Sequence, residues 1–240
     1  MSVLERLLAR KPGLLVLVDP GRTTPAEAEG VARAAGEAGA AGLLIGSSFD
    51  GNEETTAVAS ALRGAADIPV VLFPGSAAQL TSAVDAVLFL SLVSGRNPQY
   101  LIEEHVRAVP FFSRNAVECI STAYVLVDGG RVTAVESVSQ TRPLPADKPE
   151  IAVAHALAAR MIGMTAVYLD AGSGAATPVA PAVIAAVRAA VDAPLLVGGG
   201  LREPAQARAA RAAGADLVVV GTAVERGGPA RIREFVAALR

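Results

Sequence analysis

The stretch Tyr-Leu-Asp-Ala-Gly-Ser-Gly, residues 168–174, is the most informative feature of this chain. It follows a largely apolar run at 164–167 and precedes an alanine-rich helical pattern that opens near Pro178. Glycines let backbone amides approach an anion closely, and the N-terminus of a helix adds a favourable dipole. A strand, a carboxylate and a small-residue loop in this order therefore predict an anion-binding site.

Two strand ends further along the chain terminate in the same way, at 197–200 (Val-Gly-Gly-Gly) and 220–222 (Val-Gly-Thr). A tight turn alone explains one such glycine, so a single loop is weak evidence. Three consecutive strand ends of this kind favour one shared phosphate site. In (β/α)8 barrels the loops after the seventh and eighth strands commonly form such a site.

Short apolar runs alternate with helical patterns along the whole chain. Strands are predicted at Leu14–Val18, Gly42–Ile45, Val70–Phe73, Ala86–Leu90, Val117–Val127, Ala166–Leu169, Leu195–Val197 and Leu217–Val220. Helices are predicted near Pro25–Ala38, Glu53–Gly64, Pro98–Ala108, Lys148–Ile162, Pro178–Val191, Glu203–Ala213 and Pro229–Leu239. The alternation also fits an open doubly wound sheet, but the eightfold count and the glycine loops favour a single α/β domain over 1–240, a modified (β/α)8 TIM barrel.

Two segments depart from the simple repeat. The connection Pro74–Asp85 is short and rich in small polar residues, which predicts a stunted helix. Residues 127–132 (Val-Asp-Gly-Gly-Arg-Val) are predicted to form a β-hairpin with an Asp-Gly turn that extends strand five beyond the barrel wall.

Composition limits the classes of function. The 240 residues are 52% hydrophobic with a net charge of −2, which gives no electrostatic footprint for nucleic acid or an anionic membrane. Cys119 is the only cysteine, so an intramolecular disulfide and a cysteine metal cluster are excluded. No signal peptide and no run of ~20 apolar residues is visible, and we expect an intracellular, cytoplasmic protein.

The predicted strand ends carry no His, Cys or Lys, which argues against Schiff-base, thiol and histidine acid–base chemistry. They carry two carboxylates, Asp19 and Asp170, several hydroxyls and many backbone amides. Asp19 is expected to point into the barrel mouth near Ser48, where both bind Mg²⁺ through oxygen. Asp170 is expected to accept a proton from a hydroxyl held at the phosphate loop. Each aspartate has a plainer interpretation as a turn or loop cap.

Other polar residues are given structural roles. His105 and His155 lie on predicted helices without metal-ligand spacing, and we interpret both as surface or interface residues. Cys119 is predicted to behave as a small hydrophobic residue within a strand. Asp216 begins strand eight at the stability face of a barrel, so no chemistry is assigned to it.

A set of motifs runs along nearly the whole chain: Val-Asp-Pro at 18–20, Ile-Gly-Ser-Ser at 45–48, Leu-Phe-Pro-Gly at 72–75, Ser-Gly-Arg-Asn-Pro at 94–98, Asp-Lys-Pro-Glu-Ile-Ala at 147–152, Tyr-Leu-Asp-Ala-Gly-Ser-Gly-Ala at 168–175, Val-Gly-Gly-Gly-Leu-Arg at 197–202, Ala-Gly-Ala-Asp at 213–216 and Val-Gly-Thr at 220–222. In this order and spacing the motifs resemble those of one family of prenyltransferase TIM barrels, the geranylgeranylglyceryl phosphate synthases and their bacterial relatives, the heptaprenylglyceryl phosphate synthases. Departures from the family pattern fall at Arg22, Ser47, Asp170 and Thr222, where the family usually has Lys, Gly, Glu and Asn. Strand five, commonly Ile-Pro-Thr-Gly-Tyr, is Ile-Ser-Thr-Ala-Tyr at 120–124.

The resemblance implies a Mg²⁺-dependent enzyme that joins the C3 hydroxyl of sn-glycerol 1-phosphate to C1 of a polyprenyl diphosphate and releases diphosphate. It implies that Asp19 and Ser48 hold Mg²⁺ and that Asp170 and Tyr168 are the catalytic residues. The phosphorylated acceptor is then held by Tyr168, Leu169, Asp170, Ala171, Gly172, Ser173, Gly174, Gly199, Gly200, Gly221 and Thr222. An apolar groove lined by small side chains is expected for the prenyl chain, and a homodimer is expected from the family.

Three alternatives stay open. The first is farnesyl transfer to 3-phosphoglycerate, as in a similar enzyme of phosphoglycolipid antibiotic biosynthesis. The second is an isomerase or synthase that acts on a sugar or indole phosphate. Such an enzyme wants a Lys, a Cys or a paired general acid and base at the strand ends. The third is a catalytically silent barrel that keeps only a binding role.

Overall fold

The structure, a computed structural model, describes residues 1–49 and 53–240 of the chain. Within them eight parallel strands close into a barrel in chain order. The strands are β1 (Gly13–Val18), β2 (Gly42–Ile45), β3 (Val70–Leu72), β4 (Ala86–Leu92), β5 (Glu118–Leu126), β6 (Ala166–Asp170), β7 (Leu195–Gly198) and β8 (Leu217–Val220). The barrel prediction is confirmed, and the open doubly wound sheet is wrong, because β8 pairs with β1 over four residues.

The helices are α1 (Val3–Leu8), α2 (Pro25–Ala38), α3 (Thr55–Ala65), α4 (Glu104–Phe112), α5 (Ala134–Ser139), α6 (Pro149–Met161), α7 (Pro181–Ala190), α8 (Pro204–Ala212), α9 (Thr222–Gly227) and α10 (Ala230–Leu239). A π-helical turn, Gln99–Glu103, leads into α4. The predicted stunted connection after β3 is confirmed, since only a 3-10 turn, Ala77–Gln79, forms there. The sequence patterns did not predict α1, α5 or α9.

Side chains of the strands form two apolar layers. One set, which includes Leu15, Leu44 and Leu196, fills the inside of the barrel. The other set, which includes Val16 and Val197, packs between the barrel and the surrounding helices. Because successive strand residues point to opposite faces, both layers read as nearly continuous apolar runs in the sequence.

The predicted β-hairpin at 127–132 is wrong. Val127 instead forms an isolated parallel bridge with Leu144, and the chain continues through a loop into α5. The Asp128 side chain accepts a hydrogen bond from the Gly130 amide at 2.8 Å, a local turn that replaces the hairpin. The Gly129 carbonyl accepts hydrogen bonds from the amides of Ala176 and Thr177, so this turn supports the loop that follows β6.

The seventh helix starts three residues later than predicted. Pro181, and not Pro178, is its first residue. Ala180 precedes this proline and has an extended conformation with ψ of 136°. A residue before proline is pushed out of the helical region by the proline ring, so the first of the two prolines cannot open the helix.

Cys119 lies near the start of β5, and its side chain is exposed. The expectation that it behaves as a packed small hydrophobic residue is therefore wrong. The neighbouring Glu118 accepts hydrogen bonds from the amides of Val3 and Leu4 and holds the beginning of α1 against the N-terminal end of the barrel. Cys119 lies at this same end, far along the strand from the mouth.

Asp216 fastens the N-terminal end of the barrel, as expected for a structural residue. Its Oδ2 accepts a hydrogen bond from the Leu195 amide at 2.9 Å and one from Arg188 at 3.1 Å. The Lys11 ammonium lies 3.5 Å from Oδ1. The carboxylate thereby ties β7, β8 and α7 together.

We expect Asp216→Ala to lower the free energy of unfolding by about 1–3 kcal/mol, because a part-buried amide loses its acceptor. Denaturant unfolding followed by circular dichroism measures the change. Asp192→Ala is the matched control, because Asp192 is exposed in the neighbouring loop and its loss should change stability by about 0.5 kcal/mol or less. Equal stability of the two variants would contradict the assigned role.

Candidate active site

One cavity of about 520 Å³ opens at the C-terminal ends of the strands and continues sideways along β4. Its mouth is lined by polar and small residues, and its side arm is lined by apolar ones. The mouth residues are Asp19, Gly46, Ser47, Ser48, Tyr124, Tyr168, Asp170, Ser173, Gly174, Gly199, Gly200, Gly221 and Thr222. The cavity therefore gathers most of the predicted site residues into one place.

Asp19 reaches the mouth because β1 points every second side chain inward. Leu15 and Leu17 belong to the inner layer, and Asp19 continues the same face. One carboxylate oxygen accepts a hydrogen bond from the Gly21 amide at 3.0 Å, and the other lies 3.6 Å from Arg22 Nε. Asp19 thus acts as a turn cap and still presents an oxygen to the cavity. Ser48 lines the same cavity from the end of β2.

Glu225 is a carboxylate at the rim that the sequence analysis missed. It lines the cavity from α9, where desolvation and then the negative charge of Asp19 raise its pKa. The sequence held a signal for Glu225: it follows the predicted site residue Thr222 by three residues, and residues three apart lie on the same face of a helix. Even with Glu225, the described residues hold no group of three or more His, Cys, Asp or Glu side chains placed for a metal ion.

The donor set at the mouth fits Mg²⁺ that arrives with a substrate. Asp19 supplies a carboxylate and Ser48 a hydroxyl, and Mg²⁺ prefers oxygen ligands while keeping several waters. So few protein oxygens do not make a cage that encloses an ion by itself. The remaining ligands would come from water and from phosphate oxygens of the substrate.

Asp170 is the buried carboxylate of the site, with only 5% of its surface exposed. Its Oδ2 accepts a short hydrogen bond from the Tyr124 hydroxyl, and its Oδ1 accepts one from the Gly172 amide at 3.0 Å. Burial raises the pKa of Asp170, and both hydrogen bonds act in the opposite direction because they stabilise the charged form. The carboxylate is therefore a stronger proton acceptor than an exposed aspartate, and it is held in one orientation.

Tyr168 lies beside Asp170 on the same inner face of β6. Its ring is 1% exposed and packs on Phe73 at 5.2 Å between ring centroids. Burial and then the charge of Asp170 raise the pKa of Tyr168 well above its ordinary value, so its hydroxyl stays protonated. Gly198 leaves room for this hydroxyl, since a Cβ there would lie 2.2 Å from it.

The glycine loops after β6, β7 and β8 meet at the mouth as predicted. Gly199 has a left-handed φ of +76°, and a Cβ there would lie 2.3 Å from Asp170 Oδ1. A side chain at this position would displace the carboxylate, so the backbone itself lines the wall beside Asp170. Arg202 braces the loop after β6 by donating to the carbonyls of Ala175 and Ala176 at 2.6 and 3.0 Å.

The structure does not bring three of the predicted acceptor-binding residues to the cavity wall. Leu169 and Ala171 belong to the outer layer and pack against the helices, so their side chains face away from the cavity. The Gly172 amide already donates to Asp170 Oδ1, and Gly172 does not line the cavity. Alternation along β6 explains the first two, because only Tyr168 and Asp170 share the inner face.

The apolar arm of the cavity follows from the stunted connection after β3. Only a 3-10 turn covers the sheet there, so the outer face of β4 opens towards α4. This groove is lined by Leu80, Val87, Phe89, Leu90, Tyr100, His105 and Ala108. Its walls include aromatic rings, so the expectation of a groove lined by small side chains is only partly met.

His105 is not the ordinary surface residue that the sequence suggested. It faces the groove from α4 and packs edge-on against Phe89, with 4.3 Å between ring centroids. Partial burial lowers the pKa of His105, which keeps the imidazole neutral in apolar surroundings. His155 is half-buried on α6, and its Nδ1 lies 2.8 Å from the Ile151 carbonyl of its own helix.

Two curated relatives are similar to this chain over most of its length. The geranylgeranylglyceryl phosphate synthase of Methanopyrus kandleri is 42% identical over 240 residues, covering 100% of this chain and 99% of the relative. The synthase of Chitinophaga pinensis is 40% identical over 225 residues, covering 94% of this chain and 89% of the relative.

A solved structure has the same barrel. It is the (S)-3-O-geranylgeranylglyceryl phosphate synthase from Thermoplasma acidophilum in complex with its substrate sn-glycerol-1-phosphate, with a TM-score of 0.94 and 33% identity. The similarity covers 100% of this chain and 98% of that one. The model of the PcrB family matches residues 6–239, and the chain therefore belongs to the PcrB family.

Proposed function

We propose that this protein is a prenyltransferase that links the C3 hydroxyl of sn-glycerol 1-phosphate to C1 of a polyprenyl diphosphate through an ether bond and releases diphosphate. The observation that carries the proposal is the cavity itself. It joins a glycine-rich wall, the buried carboxylate Asp170 and an apolar groove. The family and its relatives support the same reaction.

The wall of the mouth around Ser173, Gly199 and Gly221 is suited to the acceptor phosphate. With the phosphate there, the acceptor hydroxyl comes to Asp170 at the centre of the mouth. Asp170 takes the hydroxyl proton as the oxygen attacks C1. A carbon–oxygen bond forms at C1 while the bond from C1 to the diphosphate breaks, and the electron pair leaves with the diphosphate.

The protonated Tyr168 contributes as a hydrogen-bond donor beside Asp170 and not as an acid, because its pKa is far above neutral pH. The groove along β4 takes the prenyl chain, since Leu80, Phe89 and Tyr100 offer it apolar surface. Asp19 and Ser48 would hold a bound Mg²⁺ ion, and the ion would neutralise negative charge on the leaving diphosphate. Arg22 and Arg226 line the same rim and add positive charge there.

The charge at the centre of the mouth favours sn-glycerol 1-phosphate over 3-phosphoglycerate. The carboxylate of 3-phosphoglycerate would have to lie near the buried Asp170, and like charges repel more strongly at a buried position than in water. The described lining residues include no lysine and no cysteine, two of the groups that an isomerase or synthase of the sugar or indole phosphate class would use. A catalytically silent barrel is disfavoured because the cavity contains both the buried carboxylate Asp170 and the apolar groove along β4.

One assay tests the proposed function. Purified protein with Mg²⁺ is given a series of prenyl diphosphates and either sn-glycerol 1-phosphate or 3-phosphoglycerate, and lipid products are identified by mass spectrometry. We expect a prenyl ether of glycerol phosphate. If only 3-phosphoglycerate gives a product, it is the acceptor in place of sn-glycerol 1-phosphate. If neither acceptor gives a product, the result favours a catalytically silent barrel.

Asp19→Asn should lower kcat/KM by about 100-fold or more, because the full charge that holds Mg²⁺ is lost. The amide keeps the cap to the Gly21 amide through its oxygen, so the melting temperature should stay close to that of the unchanged protein. Steady-state rates at a range of Mg²⁺ concentrations measure the effect. Activity at the normal level and with normal Mg²⁺ dependence would rule out the metal-binding role.

Asp170→Asn should lower kcat by about 100-fold with little change in the KM of the prenyl diphosphate. In the unchanged protein, kcat/KM should fall as pH drops through a value above the ordinary aspartate range. Burial raises the pKa of this carboxyl, and only its ionised form accepts the proton. The asparagine variant should lose this acidic limb, which a pH–rate profile measures.

Asp170→Glu separates two interpretations of the shorter side chain. A gain with sn-glycerol 1-phosphate would mean that this acceptor is gripped loosely by Asp170. A loss with every acceptor would mean that the surrounding contacts are fitted to aspartate, which is the result we expect from the two hydrogen bonds that hold it. If neither variant changes the rate, Asp170 is a structural cap.

We also propose that the protein works as a homodimer in the cytoplasm. The outer face of α4 and the preceding turn supports self-association, since Ile102, Val106 and Val109 are all more than half exposed and recur at helical spacing. No described helix is long and apolar enough to cross a membrane. Sedimentation velocity should give a molecular mass of twice the 24.2 kDa of one chain. Val106→Glu should lower the measured mass towards that of the monomer.

A further inference from the structure

Among the residues that the structure describes, the Tyr124 hydroxyl is the one side-chain group that donates to the Asp170 carboxylate. It donates its hydrogen bond to Oδ2, opposite the Gly172 amide on Oδ1. Both Tyr124 and Asp170 are 5% exposed, so solvent does not compete for this contact. Each oxygen of the carboxylate keeps a second lone pair, which leaves room for the proton of an acceptor hydroxyl.

The aromatic neighbours of Tyr124 fix the direction of its hydroxyl. Its ring packs edge-on against Tyr168, with centroids 5.5 Å apart and an interplanar angle of 82°. Phe73 lies 6.0 Å from Tyr124 and 5.2 Å from Tyr168. The rings of Phe73, Tyr124 and Tyr168 therefore hold the Tyr124 hydroxyl next to the Asp170 carboxylate. Because the Tyr124 side chain is already ordered, it loses no further conformational freedom when a substrate binds.

The position of Asp170 in the barrel explains why a donor is needed there. Tyr124 pairs with Tyr168 in the register of β5 and β6, so its long side chain reaches up to the next inner residue of β6, Asp170. The carboxylate of an aspartate lies close to the barrel wall, within reach of this phenol. A buried carboxylate without hydrogen-bond donors would be protonated or would turn away.

We infer that Tyr124 is a positioning residue for the transfer reaction, whose hydroxyl orients the Asp170 carboxylate and keeps it ionised so that it can accept the proton of the acceptor hydroxyl. The inference rests on the proposed function. Tyr124 acts through Asp170 and needs no contact with the prenyl diphosphate. Tyr168, the other titratable side chain that faces Asp170, stays protonated and adds no charge.

The test is Tyr124→Phe, which keeps the ring and removes only the hydroxyl. We expect kcat with sn-glycerol 1-phosphate to fall about tenfold, the usual effect of losing a hydrogen bond to a charged group. The KM of the prenyl diphosphate should stay nearly constant. The acidic limb of the pH–rate profile should move to higher pH, because the lost hydrogen bond lowered the pKa of Asp170.

A double-mutant cycle separates positioning from a merely structural role. If Tyr124 acts through Asp170, Tyr124→Phe should have almost no further effect in the Asp170→Asn background. Calorimetric affinities for sn-glycerol 1-phosphate complete the same cycle where turnover is too slow to measure. Independent, additive losses would show that Tyr124 only supports the fold and would overturn the inference.

The matched control is Thr122→Val on the same strand. Thr122 is fully buried, and its hydroxyl donates only to the Ile120 carbonyl, away from the cavity. Removing this hydroxyl should leave kcat and the pH profile unchanged. A fall equal to that of Tyr124→Phe would assign the effect to general softening of β5.

A readout without turnover keeps this inference distinct from the proposed function. Carbon-13 labelling of aspartate side chains lets NMR follow the titration of Asp170, identified by its loss in Asp170→Asn. Tyr124→Phe should raise this pKa whether or not the protein accepts sn-glycerol 1-phosphate. A raised pKa in an inactive protein would refute the proposed function alone, and an unchanged pKa would overturn the inference.

Discussion

Closure of the parallel sheet into a barrel determines where the site residues of this protein lie. In a closed barrel every second side chain of a strand must point inward, and the last inward positions form the mouth. Directly after β1 that position is Asp19, and on β6 it is Asp170. Two carboxylates from opposite parts of the chain thus face one cavity, although 150 residues lie between them in the sequence.

A second consequence comes from an element that is nearly missing. The chain between β3 and β4 forms one 3-10 turn where the barrel repeat would place a full helix. The uncovered side of the barrel lets the mouth continue into an apolar groove beneath α4. A long apolar substrate can then lie beside the barrel while its charged end stays with the polar residues of the mouth. The same omission that weakens the outer layer therefore provides the binding surface.

Much of this arrangement could be predicted from the sequence, because the strand ends of a barrel can be located without knowing how the side chains pack. The inward direction of Asp19 and the convergence of the three glycine loops follow from chain order and period alone. The start of α7 was also encoded locally, since two prolines compete and only the second is compatible with the helix.

Three features that the sequence analysis missed have a common cause, which is contact between segments far apart in sequence. The Asp-Gly turn after β5 supports the loop after β6 and so does not form a hairpin. Tyr124 meets Asp170 only because β5 and β6 pair in one particular register. His105 reaches the groove because α4 packs over an uncovered strand. None of these partners can be read from a local pattern.

A crystal structure of the protein with sn-glycerol 1-phosphate tests the proposed site directly. We expect the phosphate between the loops that follow β6, β7 and β8, near Ser173, Gly199 and Gly221, with the acceptor hydroxyl in hydrogen-bond contact with Asp170. A phosphate bound elsewhere with these loops empty, or an acceptor whose hydroxyl points away from Asp170, would contradict it.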